Sequence, residues 1–179
     1  GLKKTSWGEA NSAIVKKINE TSSDKIAGFT GDLTNMETLY VAKEFFYKTI
    51  KSKYLDSRID NSYVNISNKK NYIFNSTING IEDSDLAVLV GANPRYEATI
   101  LNSRIRKSFL KNKFDVYSIG DVGDLTYPYK ILSNETKIIR DIVEGKHDLC
   151  SVIQNSKKPL IIIGQTALNL KSGKYIFEE

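Results

Sequence analysis

The sequence predicts an α/β fold of three layers, α/β/α, with a mostly parallel sheet between two layers of helices, and three features carry that prediction. Asp85-Leu86-Ala87-Val88-Leu89-Val90 places five apolar side chains in unbroken succession, which suits a strand covered on both faces better than one half exposed to water. The run breaks at Gly91, turns through Asn93-Pro94 into an amphipathic helix and is followed at once by a short strand, Phe114 to Ile119, completing a strand-helix-strand unit. A second apolar run, Pro159-Leu160-Ile161-Ile162-Ile163-Gly164, reads as another fully buried strand.

From the start of the chain, Ser6 and Glu9 have the spacing of a capping box, ahead of a helix expected to bury Ala10, Ala13, Ile14 and Ile18. Lys25 to Phe29 reads as a strand ending at Thr30-Gly31. Thr34 with Glu37 repeats the capping-box spacing and opens a longer helix, whose Met36, Leu39, Tyr40, Phe46, Tyr47 and Ile50 are spaced for one buried face. The pattern weakens from Lys51 to Asp83. Asn, Ser and Lys dominate Asp60 to Lys70, and only Tyr63-Val64 suggests a short strand.

Beyond the central turn, Ile100, Leu101, Ile105, Phe109 and Leu110 recur near helical spacing, with Arg104, Lys107 and Lys111 expected on the outer side. Gly120 to Ser133, with Gly, Asp and Pro128, reads as a long loop over the C-terminal edge of the sheet. Lys137 to Val143 is a helix stopped by Gly145, and Leu149, Val152 and Ile153 mark a short helix after it. Lys174 to Glu179 reads as the first turn or two of a helix. Its Tyr175, Ile176 and Phe177 are expected to pack onto sequence beyond this piece and to be exposed without it, so residues 1–179 are expected to be one domain cut from a longer chain near the start of a helix.

Composition narrows the function. The 179 residues are 40% hydrophobic, an ordinary share for a folded domain, and no apolar run approaches the roughly 18 residues that cross a bilayer. The opening Gly1-Leu2-Lys3-Lys4-Thr5-Ser6-Trp7 lacks the apolar region of a signal peptide, so no direct membrane insertion is expected. The net charge of +5 is carried mainly by dispersed lysines, with five arginines, unlike the clustered footprint of a nucleic-acid binder. Cys150 is the single cysteine, so this stretch can assemble neither an internal disulfide nor a cysteine-ligated iron-sulfur or zinc site. His147 stands three residues before it, but two ligands do not make a metal site, and a capping or surface histidine is the simpler reading. The Gly-x-Ser-x-Gly elbow of a hydrolase, the Gly-x-Gly-x-x-Gly fingerprint and a phosphate-loop lysine motif are all missing.

The candidate site is therefore the end of the central strand. In open parallel sheets, ligands bind where strands hand over to helices, because free backbone N–H groups collect there. Gly91, Asn93, Pro94 and Arg95 have the makings of such a phosphate-binding turn, yet Glu97 puts a carboxylate where a phosphate would lie. These four residues are read as a vestigial crevice that binds no cofactor. Arg95, Arg104 and Arg106, in a chain that otherwise prefers lysine, are expected to engage in bidentate pairing, with Glu97 or Asp124 as partners.

The capping-box helix around Ser6-Trp7-Gly8-Glu9-Ala10, the strand, the capped helix around Thr34-Asn35-Met36-Glu37 and the run Asp85 to Pro94 together resemble the molybdopterin oxidoreductase domain family. One branch is closer. Tyr72 to Asp85, Asn93 to Ala98, Asn102 to Ser108, Asp124 to Tyr127 and Lys157-Lys158-Pro159 closely resemble the large iron-sulfur subunit of respiratory complex I, over about Ser6 to Leu168. The resemblance implies a domain of the formate dehydrogenase and DMSO reductase type, here an internal segment of an NADH:quinone oxidoreductase polypeptide. It implies iron-sulfur clusters held by residues outside this segment, and no catalytic residue, cofactor or metal within it. The segment alone is expected to be inactive. Implied partners are the other peripheral-arm subunits and the rest of the large subunit itself, on the cytoplasmic side of a bacterial inner membrane or the mitochondrial matrix side. The alternative from the same resemblance is the cofactor-binding portion of an active molybdopterin guanine dinucleotide oxidoreductase. The His-Pro pair that active relatives often carry after this turn is replaced here by Arg95-Tyr96-Glu97-Ala98-Thr99.

Overall fold

A computed structural model describes residues 3–31, 33–57, 62–112 and 114–179. Gly1-Leu2 of the N-terminal run, and Asp60-Asn61 at the head of the Asn- and Ser-rich stretch, lie outside the described residues. The chain divides into two compact units, Gly1–Asp60 and Asn61–Glu179.

In the first unit, α1 (Trp7–Asn19) starts on the expected capping box: Ser6 Oγ accepts the Glu9 N–H at 3.3 Å, and the Glu9 carboxylate accepts the Ser6 N–H at 3.1 Å. No residue of α1 is buried, and the expectation for its apolar face is corrected: Ala10 and Ile18 are half-buried, while Ala13 and Ile14 are exposed. Helical spacing decides which side chains share a face, but burial needs an element to cover that face. The strand expected over Lys25 to Phe29 shrinks to β1 (Gly28–Phe29), preceded by a 3-10 turn at Ser23–Lys25, and it pairs in parallel with β2 (Leu55–Asp56). The Phe46 ring lies so close over Gly28 that a Cβ there would meet it at 2.4 Å.

The cap of α2 (Met36–Glu44) falls one residue later than expected. Asn35, not Thr34, accepts the Thr38 N–H, at 2.9 Å. The helix continues through π-helical turns at Phe45–Ile50 and ends on Lys51 in the left-handed region, φ 60°. Of its predicted face, Ile50 is buried and Leu39 and Phe46 half-buried, whereas Met36, Tyr40 and Tyr47 are exposed.

The second unit holds a parallel four-stranded sheet with the order β5-β4-β3-β6. Its strands are β3 (Leu86–Val90), β4 (Asp115–Ile119), β5 (Lys130–Ser133) and β6 (Pro159–Ile163). β3 is central and every residue of it is buried, as its unbroken apolar run requires. Burying each of Leu86, Val88 and Leu89 is worth about 2 kcal/mol before entropy is charged against it. Ala87 and Leu89 point to one face, where α4 (Thr99–Asn112) lays down Ile105, Leu101 and Phe109. Leu86, Val88 and Val90 point to the other, against α5 (Lys137–Val143), α6 (Leu149–Asn155), α7 (Gln165–Leu168) and α8 (Gly173–Glu178). The result is the expected α/β/α sandwich.

Four local expectations change. Gly120 to Ser133 is not all loop, since its last four residues form the edge strand β5, whose Lys-Ile-Leu-Ser sequence lacks the apolar-polar alternation of a half-buried strand. Among the described residues β6 is an edge strand of the sheet rather than a fully buried one, and Ile161 is 54% exposed. Tyr63-Val64 forms no strand; the Tyr63 N–H goes instead to Leu168 O at 2.9 Å. At the C-terminus, Ile176 belongs to the core at 4% exposure, Tyr175 packs against the same cluster, and the Phe177 ring meets Tyr63 at 5.6 Å, so the expected exposed apolar surface is absent at these three residues.

Asp85 ties the bottom of β3 to the α6-β6 connection. Its carboxylate accepts from the Ser156 hydroxyl and from the N–H groups of Lys157 at 2.8 Å and Lys158 at 3.1 Å. The Ser156 hydroxyl first, then the Lys157 N–H, hold this carboxyl below the usual Asp range. A carboxyl depressed on folding adds stability that is complete above its unfolded value near pH 4 and is lost as pH falls through the folded value. Asp85→Asn should therefore flatten the acid limb of a pH-melting curve below about pH 4 and leave its shape above about pH 5 unchanged. An unaltered acid limb would show that Asp85 is not a main source of it.

Candidate functional site

The C-terminal end of β3 is where the sheet's connections part. From β3 the chain crosses to β4 through α3 (Pro94–Glu97) and α4 on one face, while β6 beside it delivers α7 to the opposite face. Such a parting of adjacent strands is where open α/β sheets form a crevice. An open cleft of about 410 Å³ lies there, with Ala92, Pro94, Leu101 and Ile162 among its apolar walls and Glu97 as its charged group.

Of the four sequence candidates, Pro94 lines this cleft, and Gly91, Asn93 and Arg95 are its neighbours along the turn. Gly91 adopts φ +55°, and a Cβ on it would also meet the Ala167 Cβ at 2.8 Å, so the position needs glycine for both reasons. Its N–H donates to Ile119 O at 3.0 Å. Asn93 caps α3: its Oδ1 accepts from Arg95 N at 2.9 Å and Tyr96 N at 3.3 Å, and its Nδ2 donates to Val122 O. Pro94 takes the first helical position, where its missing N–H costs nothing. The backbone breaks at Ala98, so the single helix expected from Tyr96 onward is two, α3 and α4.

The carboxylates are arranged differently from the expectation. Glu97 does not pair with an arginine; its Oε1 accepts the Asn93 N–H at 2.7 Å, folding back over the turn. Arg95 pairs with Asp124, one of the two partners expected. The Thr126 N–H, at 2.8 Å, and then Arg95 hold the Asp124 carboxyl below the usual Asp range. Arg104 is half-buried rather than outward, and with Lys107 it grips Glu82, on the 3-10 turn Asn79–Asp83. The Lys107 and Arg104 hydrogen bonds depress the Glu82 carboxyl in that order. Arg106 Nε reaches Thr126 O at 3.4 Å. Ile100 and Leu110, expected on the inner face of α4, are 63% and 64% exposed, because the break at Ala98 and the Glu82 grip set the rotation of the helix.

Two groups of residues carry no strong sequence signal. Asn102 and Tyr127 are both buried; the Tyr127 hydroxyl donates to Asn102 Oδ1 at 2.8 Å, and Asn102 Nδ2 donates to Leu125 O at 3.1 Å. Burial pushes the Tyr127 phenol up. Together with Arg95 and Arg106, this pair straps the loop after β4 onto α3 and α4. Its one trace in the sequence is a polar residue on the same helical face as Ile105 and Phe109. The second group is Gly164 with Ala167, which bring α7 against Gly91-Ala92; a Cβ on Gly164 would lie 2.3 Å from Gly91 O. His147 stands one residue before Asp148, the N-cap of α6, and its Nδ1 accepts the Leu149 N–H at 3.0 Å. Among the described residues, no group of three or more His, Cys, Asp or Glu is placed to hold a metal ion, and no helix is long and apolar enough to cross a membrane.

The sequence matches the molybdopterin oxidoreductase family over residues 1–179. It is 38% identical over 189 residues to the NADH-ubiquinone oxidoreductase 75 kDa subunit of Reclinomonas americana, an alignment covering 98% of this chain and 27% of that protein. It is 36% identical over 163 residues to an NADH-quinone oxidoreductase subunit of Rickettsia prowazekii, covering 91% of this chain and 24% of the relative, and 34% identical over the same length to the subunit of that name in Rickettsia felis. The chain thus spans about a quarter of the length of these curated relatives. Their names agree with the resemblance drawn from Tyr72 to Asp85 and the four shorter runs.

Proposed function

We propose, from the premise that the chain belongs to the molybdopterin oxidoreductase family, that these residues are a non-catalytic structural segment of the large subunit of an NADH-quinone oxidoreductase. Its role is to support the peripheral arm that carries electrons from NADH to quinone. The relatives, named as subunits of that enzyme, support the assignment to the complex. Iron-sulfur clusters belong to residues elsewhere in such a subunit, and the partners are its remaining domains and the neighbouring peripheral-arm subunits. The arm lies on the cytoplasmic side of a bacterial inner membrane, or on the matrix side in a mitochondrion.

The observation that carries the structural role is the Glu97 carboxylate on the Asn93 N–H. A phosphate-bearing cofactor at this turn needs free donors and positive charge. Here Gly91 N, Asn93 N, Arg95 N and Tyr96 N are all bonded within the chain, and Arg95 is paired with Asp124. An incoming phosphate would displace two carboxylates and then sit beside them, which is repulsive at any effective dielectric. The residues at the turn do not fit the guanine dinucleotide of the family's molybdenum cofactor. The rival reading, the cofactor-binding portion of an active enzyme, draws on the cleft alone. Calorimetry with GDP and GTP separates the two: no binding tighter than about 1 mM, or about 4 kcal/mol, is expected. Saturable micromolar binding abolished by Gly91→Val would install the rival reading.

A further inference from the structure

The two edges of the four-stranded sheet differ. β5 carries the guards of an edge that must stay unpaired: it opens on Lys130, whose ammonium lies 5.2 Å from the Tyr117 ring centre and 3.8 Å from Asp115, and its register with β4 shifts between Ser118 and Ile119. β6 has Pro159 at its first position and then Leu160-Ile161-Ile162-Ile163, with no charge and no register shift against β3. The Lys158 carbonyl accepts from Asp85 N and Gly164 N donates to Val90 O, so even-numbered residues bond to β3. Backbone groups alternate along a strand, which turns those of Ile161 and Ile163 away from β3. Ile161, in register with Val88, is 54% exposed. Apart from the proline at its first position, this apolar edge carries neither a charge nor a register shift to blunt it, and such an edge is one that a sheet extends.

Handedness selects what fills it. From β3 to β4 the chain crosses over the α4 face and moves toward β5; from β5 to β6 it crosses over the opposite face, through α5 and α6, and moves the other way. Reversing both face and direction keeps the same hand, and parallel crossovers are right-handed almost without exception. α7 and α8 leave β6 on the face of α5 and α6. A strand reached through them with that hand can only land beyond β6, on its open edge.

We propose that a fifth strand, parallel to β6, docks on this edge, supplied by residues that follow α8 in a polypeptide of the relatives' length, with an apolar side chain against Ile161. The inference rests on the reading of the chain as a segment of that longer subunit. Hydrogen exchange read by NMR or mass spectrometry on the intact native polypeptide and on residues 1–179 tests it. The Ile161 and Ile163 amides should exchange about 100-fold or more slowly in the intact polypeptide, while Leu160 and Ile162, already bonded to β3, change little. Equal exchange of Ile161 and Ile163 in both would overturn the proposal, as would an intact polypeptide no heavier than 20.2 kDa. Dimerisation of residues 1–179 that is lost in Ile161→Lys, with exchange in the intact polypeptide unprotected, would assign the edge to a second copy instead. Co-purification of the intact polypeptide with an NADH-oxidising assembly is scored separately, so that a wrong functional reading leaves the strand result standing.

Discussion

Gly164→Ala should destabilise the chain by about 2 to 4 kcal/mol, seen as a fall of roughly 4 to 16 °C in melting temperature. The added Cβ would stand 2.3 Å from Gly91 O, 2.7 Å from Ala92 Cα and 2.8 Å from Ala92 Cβ. Those are backbone or near-backbone atoms of a turn fixed by β3, so no flexible side chain can yield. Relief requires α7 to move off the sheet, stretching the hydrogen bond from Gly164 N to Val90 O, now 2.9 Å, and loosening Ala167 from the core face. Overpacking alone costs about 1 to 3 kcal/mol, and a weakened buried hydrogen bond adds about 1. Gly8→Ala is the control, since a Cβ there has nothing within 4 Å; on exposed α1 it should be neutral or stabilise by up to about 1 kcal/mol through helix propensity. Equal melting temperatures for the two variants would mean that the Gly91-Gly164 contact is not close packed.

Asn102→Leu should cost about 3 kcal/mol by chemical denaturation. Leucine nearly matches asparagine in shape, so the loss is chiefly polar: the Tyr127 hydroxyl and the Leu125 carbonyl, both partnered by Asn102, would be left in a buried site without it. An unsatisfied buried group costs about 1 to 3 kcal/mol, more than the bond itself contributes. Tyr127→Phe alone should cost less, about 1 to 2 kcal/mol, because it strands one group, Asn102 Oδ1, and leaves the Asn102 bond to Leu125 O in place. In the double variant Tyr127 no longer has a hydroxyl to strand, so the two losses should fall short of their sum by at least about 0.5 kcal/mol. Strict additivity would show that the pair is not coupled and that some other contact holds the loop after β4 in place.

Both expected effects fall on contacts invisible along the chain, which marks what can be read there and what cannot. The buried strand at Leu86 to Val90, the turn at Gly91-Asn93-Pro94, the capping box at Ser6 and Glu9 and the alternation of helix and strand are local: each depends on which residues stand within a few positions, and each is legible. The candidate site is legible for the same reason, since a strand end followed by glycine and Asn-Pro defines its own geometry. β5 and the edge position of β6 escape a sequence reading because edge and centre differ only in what lies alongside. The cap of α2 lands on Asn35 rather than Thr34 because two neighbouring residues both have cap chemistry, and periodicity does not choose between them.

By itself, the sequence determined that a parallel sheet forms, where its central strand ends, and that an acidic residue follows the turn. Only the tertiary structure decided that Glu97 folds onto the Asn93 N–H while Arg95 goes to Asp124, 29 positions away, and Arg104 to Glu82, 22 positions away. The reason is physical: a charged side chain pairs with whatever the fold brings within a few ångströms, and separation along the chain carries no information about that distance. Apolar periodicity is likewise a statement about one element's face. Whether the face is covered, as on β3, or open, as at Ile161, is settled by the neighbour that packs there.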